Sequence, residues 1–251
     1  MLKEISNENS KVISIDRNNF VKKREFKKLD IPAHEKDLMD HWFKHQGNYY
    51  FFKYVDGLNE FIGQYLAEYF SLETAKYFLV EYNGNIQVAS QYFKTPEYKY
   101  LDTLKLGEKI NLQDLLTSKY SDVRNDLLKL FAIDIYMRQC DRTSQNLLFK
   151  QDKEGVVSLA PAFDYSNSFY YSKYKKYETE IISFDLLSTE FQQFLANNQK
   201  LREYLINLDN LDIEKVLKYL EHKFAIDILK EYRDYYLKQD EISKKLIKRI
   251  I

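Results

Sequence analysis

The 251-residue chain is predicted to fold as an α+β protein of two unlike lobes. A small antiparallel sheet with one helix comes first, and a mostly helical part follows. Three patterns carry that expectation. Between about residues 32 and 93, short alternating runs are separated by turn residues, and the clearest pair flanks Asn83-Gly84, a dipeptide suited to a two-residue type I′ turn. Residues 121–138 are apolar almost all round a helical wheel, through Val123, Leu127, Leu128, Leu130, Phe131, Ile133, Ile135 and Tyr136, as a buried helix requires. From about Leu186 to Ile251, apolar residues recur at helical spacing, for example Ile213, Val216, Leu217 and Leu220.

Composition narrows the function classes. With 38 Lys+Arg against 38 Asp+Glu the net charge is zero, which argues against direct binding of nucleic acid as the main activity. The single cysteine, Cys140, removes any intrachain disulfide or multi-cysteine zinc site. The 6 glycines are too scattered for a G-x-G-x-x-G or Walker A loop. No apolar run approaches the roughly 20 residues of a membrane span. A soluble, cytoplasmic protein is expected, and delivery into another cell is compatible with the sequence.

In chain order, residues 1–30 read as a polar, solvated lead-in that ends in the basic stretch Lys22-Lys23-Arg24-Glu25-Phe26-Lys27-Lys28. Order is expected from about Pro32. Strands are predicted at 40–44 and 49–54 with a turn at 45–48. Alternation then puts Tyr49, Phe51 and Lys53 on one face, where a lysine among aromatics calls for an anionic partner. A helix capped by Asp56 or Asn59 carries the stripe Phe61, Ile62, Tyr65, Leu66, Tyr69 and Phe70, with Glu60, Gln64 and Ala67 on a neighbouring face. After the Asn-Gly hairpin, Pro96 and Gly107 mark a connector. Beyond the buried helix, 146–149 and 156–160 read as two short antiparallel strands. The division is 1–30 lead-in, 31–95 first lobe and 96–251 second lobe. His41 and His45 read as surface residues.

That last strand pair gathers chemistry. The start of one strand and the end of the next fall at one edge, bringing Asp141, Asn146 and Asp164 to a common mouth. Two carboxylates and an amide oxygen are the hard donors Mg²⁺ takes beside phosphate oxygens. The D-x₄-N spacing followed by a second Asp is the catalytic arrangement of the kinase superfamily. Lys53 on a sheet strand, followed by a helix bearing an acid, supplies a phosphate-contacting Lys and its Glu partner. Glu60 follows Lys53 closely and Glu68 lies two turns on, so both stand as partners. Arg142 is expected to brace the loop by pairing with an acid, Asp134 among them.

The segments Phe52-Lys53, Asn59-Glu60…Leu66-Ala67-Glu68, Asp141-Arg142…Asn146 and Leu159-Ala160-Pro161-Ala162-Phe163-Asp164 resemble the HipA-like serine/threonine kinases, many of them bacterial toxin components. The resemblance spans about residues 40–240. It implies a two-lobed protein-kinase-like fold, ATP and Mg²⁺ as cofactors, and transfer to a Ser or Thr hydroxyl of a protein substrate. Asp141 would be the catalytic Asp, Asn146 and Asp164 the metal ligands and Lys53 the ATP-phosphate contact, with Glu60 as its partner. Residues near Gln91 and Phe93 would form the adenine hinge. An antitoxin partner is part of the same implication. Thr143 stands where the family often has His. No Ser or Thr occurs from Ile31 to Phe70, so the autophosphorylated loop serine of some relatives has no counterpart. A lipid or small-molecule kinase of the same fold, or a pseudokinase acting as a binding module, are the alternatives.

Overall fold

The structure is a computed structural model that describes residues 12–22, 25, 29, 41–53, 57–102, 123–139, 142, 146–169, 176–178, 183–224 and 228–251. The predictions that fall on Asp56, Gly107, Cys140, Asp141, Thr143 and the stretch 31–40 lie outside the described residues.

The first lobe is a five-stranded sheet built from β1 (Ile13–Ser14), β2 (Trp42–His45), β3 (Asn48–Lys53), β4 (Tyr77–Tyr82) and β5 (Asn85–Gln91), in the order β1-β4-β5-β3-β2. Helix α1 (Gly57–Tyr69) is inserted between β3 and β4. Both tight hairpins have the geometry their residues favour. Gln46 and Gly47 have φ of 47° and 85°, and Asn83 and Gly84 have 52° and 75°. Two successive positive φ values make a type I′ turn, whose twist matches that of the flanking strands.

The lead-in differs from its prediction. Ile13 pairs in parallel with Val80, Asp16 caps a short 3-10 turn at Arg17–Asn19, and Phe20 bridges Phe43. The reason is burial. Ile13, Ile15 and Phe20 cover the outer sheet face formed by Phe43, Tyr50, Phe52, Val80 and Ala89, which would otherwise meet water. The opposite face behaves as the alternation predicts: Tyr49, Phe51 and Lys53 are half-buried while Tyr50 and Phe52 are buried.

Helix α1 is buried on more sides than a simple stripe implies. Residues 59–67 are all buried, polar Asn59, Glu60 and Gln64 included, whereas Tyr69 of the predicted stripe is 45% exposed. Asn59 is not a cap but lies within the helix, its amide turned to the second lobe. Two glycines allow the close approach. A Cβ on Gly57 would meet the Val88 side chain, and one on Gly63 would overlap the Tyr165 ring. Gly63→Ala is therefore expected to cost about 1–3 kcal/mol of stability as Tyr165 is forced aside, against the gain Ala brings to an ordinary helix position. Urea unfolding of the variant checks this.

In the second lobe, β6 (Lys99–Asp102) pairs with β7 (Leu148–Gln151), which pairs with β8 (Val157–Leu159), all antiparallel. Residues 99–102 were expected as connector, because Pro96 and the surrounding polar residues mask a strand of only four residues. Helix α2 (Arg124–Met137) lies at the centre, with Leu127, Leu128 and residues 130–137 buried. A small hairpin, β9 (Lys176–Glu178) and β10 (Ser183–Asp185), precedes helices α3 (Thr189–Asn197), α4 (Gln199–Asp209), α5 (Ile213–Phe224) and α6 (Ile228–Ile250). One hydrophobic core runs from α1 and the β4–β5 hairpin through α2 to the C-terminal helices. The two lobes are thus bound through α1. Among the described residues, no helix is long and apolar enough to cross a membrane.

Candidate active site

Lys53 ends β3 on the sheet face that looks towards α1. Its Nζ lies 2.8 Å from Asp164 Oδ1 and 3.2 Å from Glu60 Oε1, and its side chain is 14% exposed. The lysine on an aromatic face thus has two anionic partners, brought from separate elements. Glu60 comes from the first turn of α1, and its Oε2 accepts the Tyr165 backbone N–H at 2.8 Å. Glu68, the rival acid, instead accepts a bond from Gln64 Nε2 at 2.7 Å.

Asp164 follows β8 in a left-handed conformation, with φ of 60°. This geometry is unusual for a non-glycine residue and persists where surrounding bonds over-determine it. Here the Asp164 N–H donates to Tyr77 Oη at 3.0 Å, and its carbonyl accepts from Gln139 Nε2 at 2.6 Å. Ser166 Oγ donates to Asp164 Oδ1 at 2.9 Å. The preceding Ala162 forms a parallel bridge to Thr74, so the segment is stitched to the first lobe as well.

The charges follow from this packing. Burial alone would push Asp164 up, yet the Lys53 ammonium and the Ser166 hydroxyl hold its carboxyl below the ordinary value. Burial alone would lower Lys53, but Glu60 and Asp164 outweigh it and raise the ammonium's pKa. Glu60 is pushed up by burial, only partly countered by Lys53. Asp164 is therefore the firmly ionised acid of the group.

Arg142 connects the loop to this cluster. Its guanidinium pairs with Asp134 through two bonds, Nε to Oδ2 at 3.0 Å and Nη2 to Oδ1 at 2.7 Å, as the loop-brace reading expects. Its Nη1 also donates to the carbonyls of Asn146, at 3.0 Å, and Phe163, at 2.6 Å. One cation thereby holds the Asn146 turn beside the residue preceding Asp164. Asp141, the predicted catalytic acid, lies outside the described residues.

The hinge residues divide. The Phe93 ring lies 5.3 Å from Phe163, next to Asp164. Gln91, in contrast, stands in register with Tyr50 on the other sheet face, and its N–H is spent on the Lys76 carbonyl. Tyr92 likewise donates to Tyr49 O. Tyr77, Gln139 and Ser166 were not foreseen as site residues. A tyrosine in an apolar strand and a glutamine after a helix read in the sequence as ordinary packing.

The donor set suits a divalent cation that shares its ligands with phosphate. Asp164 is ionised, its side chain is 20% exposed, and both described contacts use Oδ1, so Oδ2 accepts nothing from the described residues. Half-buried Asn146, whose carbonyl shares the Arg142 guanidinium with that of Phe163, comes from the neighbouring turn, and a cation held there would take its remaining ligands from water or phosphate. Among the described residues, no cluster of three His, Cys, Asp or Glu side chains could hold a metal by itself.

No protein-family model matches the chain, and no curated protein matches its sequence. Solved structures do match its fold. The Helicobacter pylori proinflammatory kinase CtkA has a TM-score of 0.57 at 14% identity, over 83% of this chain and 88% of that one. HipA of the Shewanella oneidensis MR-1 toxin–antitoxin system, solved with HipB and operator DNA, has a TM-score of 0.54 at 14% identity, over 80% of this chain but 58% of that one. At such identity the likeness concerns architecture: the chain has the two-lobed, kinase-like fold shared by these two proteins.

Proposed function

We propose that the chain is a HipA-like phosphotransferase that uses ATP and Mg²⁺ and acts on a Ser or Thr hydroxyl of a protein. The observation that carries this reading is the Lys53 ammonium held between Glu60 and Asp164, with Asp164 Oδ2 accepting nothing from the described residues. Lys53 binds the phosphates, and Asn146 and Asp164 hold the cation. Asp141 orients the acceptor hydroxyl, and the Phe93 segment lines the adenine side. When bound, ATP supplies the phosphoryl group and Mg²⁺ neutralises its charge. The protein's share is positioning and electrostatics, because phosphoryl transfer asks little covalent chemistry of the enzyme. A repressor-like antitoxin partner belongs to the same reading, by analogy with HipA and its HipB complex.

Intact-mass spectrometry after incubation with Mg·ATP, alongside transfer from labelled ATP to protein, lipid and small-molecule acceptors, tests it. Labelled protein is expected with the wild type and none with Asp141→Asn, which should still bind nucleotide. Transfer only to lipid or small molecules would move the acceptor class. Nucleotide binding without any turnover would make the chain a pseudokinase.

A further inference from the structure

The C-terminal helix reaches the catalytic constellation through one side chain. Tyr236, buried in the middle of α6, donates its hydroxyl to Asn59 Oδ1 at 2.9 Å. Asn59 in turn donates Nδ2 to the carbonyls of Ser166 and Ser168, each at 3.0 Å. Both ends of this buried amide are therefore committed, one to α6 and the other to the segment after Asp164. The flanking residues are the ones that matter for the site. Glu60, the next residue of α1, pairs with Lys53, and Ser166 donates to Asp164 Oδ1.

The same face of α6 holds the far end of that segment. Tyr235 Oη donates to the Phe169 carbonyl at 3.4 Å, and the Phe169 and Tyr236 rings meet edge to face at 5.9 Å. Arg138, fully buried at the end of α2, donates to the Gln239 carbonyl at 3.1 Å and to Ser243 Oγ at 2.6 Å, while its guanidinium lies over the Phe169 ring. A helix that begins 59 residues along the chain from Phe169 thus closes on both α1 and the Asp164 segment. Rotation of α1 about its axis would break these three bonds, two of which, to Ser168 and from Tyr236, are buried.

We infer that Tyr236 and Asn59 are positioning residues, tying the C-terminal helix to α1 and to the segment after Asp164 so that Glu60 and Asp164 both stay on Lys53. The inference rests on the proposed use of that trio, but the link itself can be read without nucleotide. Lys53 Nζ is held by two carboxylates in a side chain 14% exposed, so its access to an acylating reagent reports whether the trio is closed.

The test compares Lys53 acylation with that of exposed Lys215 in the same digest, for wild type, Tyr236→Phe and the exposed-residue control Tyr232→Phe. In Tyr236→Phe the relative labelling of Lys53 is expected to rise about threefold as its two carboxylate contacts loosen, with Tyr232→Phe unchanged. A lower Tm with unchanged Lys53 labelling would make Tyr236 merely structural and overturn the inference. Hydrogen exchange on the wild type covers the case of a variant that does not fold. The Tyr165 amide, bonded to Glu60, is expected to be at least as protected as the α6 amides around Tyr236. Exchange at Tyr165 well ahead of α6 would overturn the link. Since neither measurement uses ATP, absence of kinase activity would count against the proposed function and leave this result standing.

Discussion

Asp164→Asn is expected to remove phosphoryl transfer and to weaken Mg·ATP binding by at least about tenfold, while leaving the fold in place. The substitution isolates charge from shape. At φ of 60° an alanine would add backbone strain, but asparagine visits the left-handed region readily, so the backbone bonds to Tyr77 and Gln139 can remain. The carbonyl oxygen of the new amide can still accept from Lys53 and Ser166. What is lost is the negative charge that draws the ammonium forward and the ionised oxygen a cation would use. Asp141→Asn should separate from it by losing turnover and keeping nucleotide affinity. Titration calorimetry with Mg·ATP and with metal-free ATP distinguishes the two: only Asp164→Asn should lose the metal-dependent increment.

The same variant has a pH signature. A carboxyl whose folded pKa lies below the ordinary 3.8 adds stability that is present above that value and fades as pH falls through the folded one. Lys53, raised above 10.5, adds stability that is present below 10.5 and is lost as pH climbs through its folded value. Glu60 works in the opposite sense to Asp164. Its folded pKa is raised, so relative to the unfolded chain it favours folding below 4.5 and opposes it as pH rises through the folded value. The Lys53–Asp164 contribution is therefore full between about pH 4 and 10. In urea unfolding, Asp164→Asn should lose the part of the acid limb below pH 4 and bring the alkaline limb closer to that of an ordinary lysine.

Which parts of this site could be read from the sequence depended on how local the cause was. Lys53 stood out because strand alternation alone places it on an aromatic face. The type I′ hairpin followed from Asn83-Gly84, and a turn, though not its type, from His45-Gln46-Gly47-Asn48. The Arg142–Asp134 pair could be anticipated, since an arginine in a loop needs an acid and Asp134 sits in the apolar helix just before it. The choice of Glu60 over Glu68 could not, because the two lie about 12 Å apart along one helix and only the placement of α1 against β3 decides. That placement depends on Gly63 and Asn59, whose partners, Tyr165 and Tyr236, lie 102 and 177 residues away. The parallel β1 was hidden for a related reason. Ile13, Ile15 and Phe20 are scattered among polar residues, and only the sheet assembled from later residues offers the face they cover.

Arg142→Ala should bring the largest loss of stability among single changes around the site, about 3–5 kcal/mol. Both partners of the pair are essentially fully buried, so truncating the arginine removes a two-bond ion pair from the Asp134 carboxylate inside the core. The carbonyls of Asn146 and Phe163 lose a donor in the same step. Set against the roughly 5–15 kcal/mol that hold a typical domain together, such a loss is a large share of the total. The expected size comes from the buried charge more than from the bond count, and that is testable. Replacing both residues by apolar ones, Asp134→Leu with Arg142→Met, removes the buried carboxylate and should recover a large part of the loss. The double variant should nevertheless transfer no phosphate, because nothing then ties the Asn146 turn to Phe163-Asp164. Urea midpoints for the single and double variants, read beside Mg·ATP binding, separate the two effects. Equal destabilisation in the single and double variants would mean that the carbonyl bonds, rather than the buried charge, set the energy of this corner.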